Sequence, residues 1–294
     1  MLYRYNDAMN KQPTPFQAEQ NIKPAIRAYL GGSFDPVHLG HIQMAMAVYN
    51  TLAPIAIEQQ RELQVSLLPN ARSPFKQQST DPNARLAMLA LAVQGTPVNI
   101  DELELWQTPP VYTIDSVRTL RNQYPHDSLI FIMGMDSVRS LDKWKQGLQL
   151  TNYVNLWVFN RDETLTLDAQ SVAVFAKEIA VELQAQVTET YSELLFIPVT
   201  SDHKSLAHGF LKNNLLKDSP LKDTHQGRIY IDNRAVISVS STEIRQQFHE
   251  QNLTKNNALL PSAHDTTVVP NQLYKSLNPK VYDYIIAHQL YSAD

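Results

Sequence analysis

Eleven consecutive residues, Gly31-Gly32-Ser33-Phe34-Asp35-Pro36-Val37-His38-Leu39-Gly40-His41, combine types suited to holding an anion. Two adjacent glycines let the backbone approach a ligand closely and adopt φ above zero. His38 and His41 are three apart and share one face of a helical turn. Ile42, Ala45, Met46 and Tyr49 follow at helical spacing, so a helix begins near Gly40. Its start supplies free N–H groups and the positive end of the dipole, which favour a phosphate. Two imidazole N–H groups aimed at one phosphate would stabilise charge as it builds in a transition state. The same histidines could be a surface pair, or half of a metal site that still needs further ligands. The string fits neither GxGxxG nor GxxxxGK(S/T), which disfavours a dinucleotide fold and a P-loop.

A second constellation is Ile237-Ser238-Val239-Ser240-Ser241-Thr242-Glu243-Ile244-Arg245. Ser240 and Glu243 make the S-x-x-E capping box of an ordinary helix start. Arg245 changes the weighing. A cation in the first turns opposes the helix dipole at a cost of a few tenths to about 1 kcal/mol. A bound polyphosphate would reverse that penalty.

The elements that position these residues follow from hydrophobic spacing. Residues 25–30 form a short apolar run ended by the glycine pair and predict a first strand. Pro54 should end or kink the helix after it. Further strands are expected over 63–68, 98–100, 129–133, 154–159, 228–231 and 235–239. Asp81-Pro82 opens a helix whose buried stripe reads Leu86, Leu89, Ala90 and Val93. Other helices are expected over 113–123, 136–141, 168–186, 240–249 and 279–290. Strands alternating with helices imply an α/β fold, a doubly wound and mostly parallel sheet with helices on both faces. Ligands of such sheets bind at the carboxyl edge, where both constellations fall. Residues 1–24 read as a polar extension. Residues 25–294 read as one domain with insertions over 162–228 and 251–276.

Composition narrows the function. The chain has 294 residues, 43% apolar and 18% charged, as a globular protein with a sizeable core does. A net charge of -4 gives no global basic field for a nucleic-acid backbone. No cysteine is present, which excludes disulfides, thiolate zinc sites and cysteine nucleophiles. No secretory signal or membrane-spanning stretch is visible, so a cytoplasmic protein is expected.

The eleven-residue string resembles the signature of the HxGH nucleotidyltransferase superfamily. It is most similar to that of the bacterial nicotinate-nucleotide adenylyltransferases, GG(T/S)FDPxHxGH. Phosphopantetheine adenylyltransferases carry Thr in place of the first His, so His38 argues against that branch. Residues 237–245 resemble the second signature, IS(S/x)T(D/E)IR. Between them, Pro69-Asn70-Ala71-Arg72-Ser73-Pro74-Phe75-Lys76 is similar to a family loop, with Phe75 in place of its usual His. Asp101-Glu102-Leu103-Glu104 is similar to an acidic segment, though each residue taken alone reads better as a charged strand end. Val111-Tyr112-Thr113-Ile114-Asp115-Ser116 resembles (S)YTxDT, and Met133-Gly134-Met135-Asp136-Ser137 resembles G-x-D-S.

The resemblance implies a Rossmann-like nucleotidyltransferase with His38, His41 and Arg245 as its catalytic residues. It implies that Gly32, Ser33, Phe34, Gly40, Asp136, Ile237, Ser241 and Thr242 bind ATP. It assigns nicotinate mononucleotide to Asp35, Lys76, Thr113, Trp144 and Arg161, with Trp144 stacking on the pyridine ring. Mg²⁺ would arrive with ATP rather than at a dedicated protein site. The implied reaction transfers the adenylyl group of ATP to nicotinate mononucleotide, giving deamido-NAD and pyrophosphate. The alternatives are the nicotinamide mononucleotide reaction and a catalytically silent nucleotide-binding module.

Overall fold

The computed structural model describes residues 23–72, 79–160, 174, 176–196, 226–257 and 272–292. Its first half alternates regularly: β1 (Ile26–Gly32), α1 (Leu39–Gln59), β2 (Leu63–Pro69), α2 (Pro82–Val93), β3 (Val98–Ile100), α3 (Thr113–Gln123) and β4 (Ser128–Gly134). The second half holds α4 (Met135–Val138), β5 (Asn155–Phe159), α5 (Val181–Gln184), β6 (Val187–Thr188), β7 (Ile229–Asp232), α6 (Ser241–Asn257), α7 (Gln272–Ser276) and α8 (Pro279–Ala287). The seven strands form one sheet in the order β3-β2-β1-β4-β5-β7-β6, and every neighbouring pair is parallel.

Period-two alternation builds a core on each face. Ile26, Ala28 and Leu30 of β1, Ile130 and Ile132 of β4, and Trp157 and Phe159 of β5 face one cluster. There they meet Met44, Ala45, Val48 and Leu52 of α1, Met88 and Leu89 of α2, and Ile244 and Phe248 of α6. Tyr29, Leu129, Phe131, Met133, Leu156 and Val158 point the other way, onto Ile114, Val117 and Leu120 of α3. Both faces are therefore covered, as a parallel sheet requires. The chain winds outward from β1 to β3 and then returns to β4 on the other side of β1. This reversal opens a crevice beyond the carboxyl ends of β1 and β4.

Five local expectations are corrected. Of the two outcomes expected at Pro54, an end or a kink, the first is corrected: α1 continues to Gln59. Pro54 and Asn50 are both exposed, so water can meet the carbonyl that the missing N–H leaves, while Leu52 and Ala56 stay buried. The buried stripe of α2 is Arg85, Met88, Leu89 and Ala92, and Ala90 is exposed. The stripe turns because Arg85 finds carbonyl partners inside. Residues 235–239 form no strand: Gln43 of α1 accepts the N–H of Ile237 at 2.7 Å and donates to the carbonyl of Ala235 at 3.2 Å. These side-chain bonds engage backbone groups that a sheet ladder would otherwise use. The helix expected over 168–186 is not continuous: Val174 and Ala176 are helical, residues 168–173 and 175 lie outside the described residues, and Val181–Gln184 forms a separate short helix because Ala180 before it is extended at φ -49° and ψ 137°. The helix expected over 240–249 continues to Asn257, and Gln272–Ser276 is also helical, so both ends of the expected 251–276 insertion are helix. Most of residues 1–24 and 162–228 lie outside the described residues.

Candidate active site

The glycine-rich string leaves the carboxyl end of β1 and enters α1. A Cβ on Gly40 would lie 2.7 Å from the carbonyl of Ile237, so only glycine lets the 235–240 segment cross this helix start so closely. Phe34, with φ 49°, turns its ring inward and is buried. It meets the His41 ring edge-on at 4.9 Å. His38 and His41 stack with centroids 3.6 Å apart, and His41 Nδ1 accepts the backbone N–H of His38 at 3.2 Å. The expected shared face of the histidine pair is thus an actual contact.

At the start of α6 both bonds of the capping box are present. Ser240 donates its N–H to Glu243 Oε2 at 2.9 Å, and Glu243 donates its N–H to Ser240 Oγ at 3.1 Å. The helix start also grips the glycine-rich string. Ser241 Oγ donates to the carbonyl of Pro36 at 2.9 Å. Arg245 donates from Nη1 to the carbonyl of Asp35 at 2.5 Å and from Nη2 to Thr242 Oγ1 at 3.2 Å. Two sequence regions some two hundred positions apart are therefore joined at these helix starts.

Two cavities flank the turn that ends β4. One of about 290 Å³ is lined by Gly31, Gly32 and Ser33 on one side and by Tyr112, Thr113 and Trp144 on the other. Glu104, Lys143 and Lys145 also border it. The α3 start has no side-chain cap, so its first N–H groups remain available at this wall. Glu104 is 6% exposed. Burial pushes its carboxyl up to about 6; Ser116 pulls it back in part, and the Asp101 carboxylate adds to the rise. The second cavity, about 320 Å³, is bordered by Asp136, Arg139 and Asn160, and by Ser238, Ser240 and Glu243. The end of β4 and the start of α4 border both: Met133 and Ser137 line the first and Met135 and Asp136 the second.

Gly32, Ser33, Thr113 and Trp144 thus meet in one cavity, and Asp136 borders the other. Gly40 and Ile237 meet where the loop crosses α1, Ser241 and Arg245 bond to the string, and Thr242 accepts from Arg245. The Asp35 carboxylate is buried and lines neither cavity. Lys76 and Arg161 lie outside the described residues. Among the described residues no group of three or more His, Asp or Glu is placed to hold a metal ion.

Sequence reading missed two supporting residues. Arg85 is completely buried, and its guanidinium donates to the carbonyls of Ser33, Asn70, Ala71 and Thr80 at 2.6–3.1 Å. It ties the loop after β1 to the loop after β2. A charged residue one position off an apolar stripe was the available signal. Tyr291 reaches Asp35 from the far end of the described chain, and nothing local announces it.

No helix of the described residues is long and apolar enough to cross a membrane. Residues 29–247 match the model of the cytidylyltransferase-like family. A protein of Idiomarina loihiensis described as a probable nicotinate-nucleotide adenylyltransferase is 29% identical over 90% of this chain and 99% of its own length. One of Shewanella frigidimarina with the same description is 31% identical over 84% of this chain and 98% of its own. Among solved structures, the Plasmodium falciparum nicotinic acid mononucleotide adenylyltransferase complexed with NaAD superposes with a TM-score of 0.56. That match covers 91% of this chain and 97% of the other at 15% identity, a likeness of fold. The chain belongs to the cytidylyltransferase-like family, in the branch of the nicotinate-nucleotide adenylyltransferases.

Proposed function

We propose that this protein transfers the adenylyl group of ATP to nicotinate mononucleotide, releasing pyrophosphate and forming deamido-NAD in NAD biosynthesis. One observation carries the reading: one cavity is bordered by Gly31, Gly32 and Ser33 of the string that holds the stacked histidine pair, and another by Ser238, Ser240 and Glu243 at the start of α6, which bonds to that same string. A reaction joining two nucleotides through their phosphates needs this arrangement.

The mononucleotide takes the cavity bordered by Thr113 and Trp144, its flat ring against the indole. ATP takes the Asp136 side and enters as its magnesium complex, since Mg²⁺ is held by phosphates with few protein ligands. The mononucleotide phosphate is already an anion at neutral pH and needs no general base. Its oxygen attacks the α-phosphorus of ATP, and the bond to the bridging oxygen of pyrophosphate breaks. His38 and His41 stabilise the charge on the transferred group. Arg245, with Ser241 and Thr242 at the α6 start, holds the leaving phosphates. Positioning and charge stabilisation then supply the rate, as for phosphoryl transfer generally. We place the reaction in the cytoplasm, where ATP is at hand.

The test is incubation with Mg-ATP and either nicotinate or nicotinamide mononucleotide, comparing kcat/KM from pyrophosphate release. The reading predicts turnover with preference for nicotinate. Preference for nicotinamide reassigns the substrate, and no product from either leaves a silent nucleotide-binding module.

A further inference from the structure

Asp35, within the glycine-rich string, has 3% of its surface exposed. Its Oδ2 accepts the N–H of Thr80 at 3.2 Å, and its Oδ1 accepts the hydroxyl of Tyr291 at 2.7 Å. Its main-chain carbonyl holds Nη1 of Arg245 at 2.5 Å. One residue therefore joins the chain before α2, the start of α6 and the last turn after α8. Burial alone would raise the Asp35 carboxyl. The hydrogen bonds from Thr80 and Tyr291, with the charge of Arg245, outweigh it and hold the group below the ordinary carboxylate range.

Tyr291 reaches this position through unusual backbone. Gln289 and Tyr291 both adopt the left-handed region, at φ 51° and 62°, which residues other than glycine seldom enter. The bend returns the chain onto the core, where Leu290 donates its N–H to the carbonyl of Ile285 at 3.0 Å. The Tyr291 ring packs near that of Phe248 of α6, with centroids 6.2 Å apart. Burial also drives the phenol's ionisation upward, so the hydroxyl remains a donor at any working pH. A buried carboxylate oxygen that lost this donor would shift to find another. The Arg245 contact is on the same residue's backbone and would shift with it.

We propose that Tyr291 is a positioning residue: its hydroxyl fixes Asp35, and Asp35 fixes the aim of Arg245. The proposal rests on the adenylyl-transfer reading, in which Arg245 faces the leaving phosphates. A tyrosine that only filled the core would affect stability when its hydroxyl is removed. A positioning hydroxyl affects kcat and the ATP term while sparing the mononucleotide cavity, which neither Asp35 nor Tyr291 borders.

The experiment is Tyr291→Phe in the full chain, with kcat, both KM values and the thermal midpoint measured. We expect kcat to fall about ten-fold, the scale of one buried bond to a charged group, with the mononucleotide KM changed less than about two-fold. In an Asp35→Asn background the same substitution should change kcat by less than about two-fold, because the coupling has already been removed. Unchanged kcat, or two substitutions whose effects multiply, overturns the proposal. If Tyr291→Phe fails to fold, Asp35→Asn alone decides: a similar loss of kcat supports the coupling and full kcat overturns it. If the wild-type chain turns over neither mononucleotide, the functional reading fails instead. Tyr291 is then read through the rise in thermal midpoint on adding Mg-ATP. A smaller rise in Tyr291→Phe supports the proposal and an equal rise overturns it.

Discussion

His41 Nδ1 accepts the backbone N–H of His38 at 3.2 Å, and that single bond sets the chemistry of the second histidine. A ring nitrogen that accepts carries no proton, so the neutral imidazole keeps its proton on Nε2. In the proposed reaction this Nε2–H is the one His41 would offer to a phosphate oxygen. Its orientation is fixed from two more sides, by stacking on His38 and by the edge contact with Phe34.

His41→Ala should fold and lose nearly all turnover. Removing one prearranged donor to a transition-state oxyanion costs about 10²–10³ in kcat. Steady-state pyrophosphate release measures the loss, and circular dichroism checks the fold. Near-normal turnover in a folded variant would sink the proposed role.

Glu104 gives a prediction in pH. Its folded-state pKa rises from an ordinary 4.5 to about 6. Between those values the native state binds more protons than the unfolded chain, so stability falls as pH rises through the window. Above it the ionised carboxylate remains a standing cost. Glu104→Gln should remove that slope and be more stable at neutral pH by up to about 2 kcal/mol. Urea unfolding at pH 4.5 and 7.5 reads it: the variant gains at the higher pH and little at the lower. Equal effects at both pH values would show that Glu104 is not the titrating group.

These two sites mark how far the sequence could be read. Gly31 to His41 was legible because its chemistry is local: strand end, glycines, helix start and histidine spacing are adjacent in the chain. The sheet was legible because β1, β4 and β5 alternate between two buried faces. What failed was set by distant partners. The Gln43 side chain claims the backbone of Ala235 and Ile237, and no periodicity in 235–239 records this. Pro54 reads as a helix breaker only until its exposure is known. Tyr291 and Asp35 are 256 positions apart, so neither predicts the other.

Arg85 is the sharpest case of a residue whose type misleads. A guanidinium in an apolar stripe reads as a surface residue, yet this one is buried against carbonyls of the loops after β1 and β2. Arg85→Met should cost roughly 3 kcal/mol or more, because carbonyls lose their donors and Asp35 loses a nearby compensating charge. Arg85→Lys should recover only part of this, since an ammonium cannot reproduce the planar fork. Denaturant midpoints for the two variants check the order. A fully stable Arg85→Lys would show that charge alone suffices.

The two-cavity arrangement makes a prediction that crosses over. Trp144 borders the cavity with Thr113, and Asp136 borders the one with Ser238 and Glu243. Trp144→Ala removes a ring platform and should raise the KM for the mononucleotide about ten-fold. The KM for ATP should stay within about two-fold, because a contact in one cavity adds little to binding in the other. Asp136→Ala should do the reverse, weakening ATP while sparing the mononucleotide. Asp136 also lies 3.4 Å from Arg139, but the pair is exposed and its loss should barely affect stability. Full bisubstrate kinetics on both variants provides the measurement. If each substitution raised both KM values equally, the cavities would not be separate subsites, and the assignment of one nucleotide to each side of the Gly134–Ser137 turn would have to be abandoned.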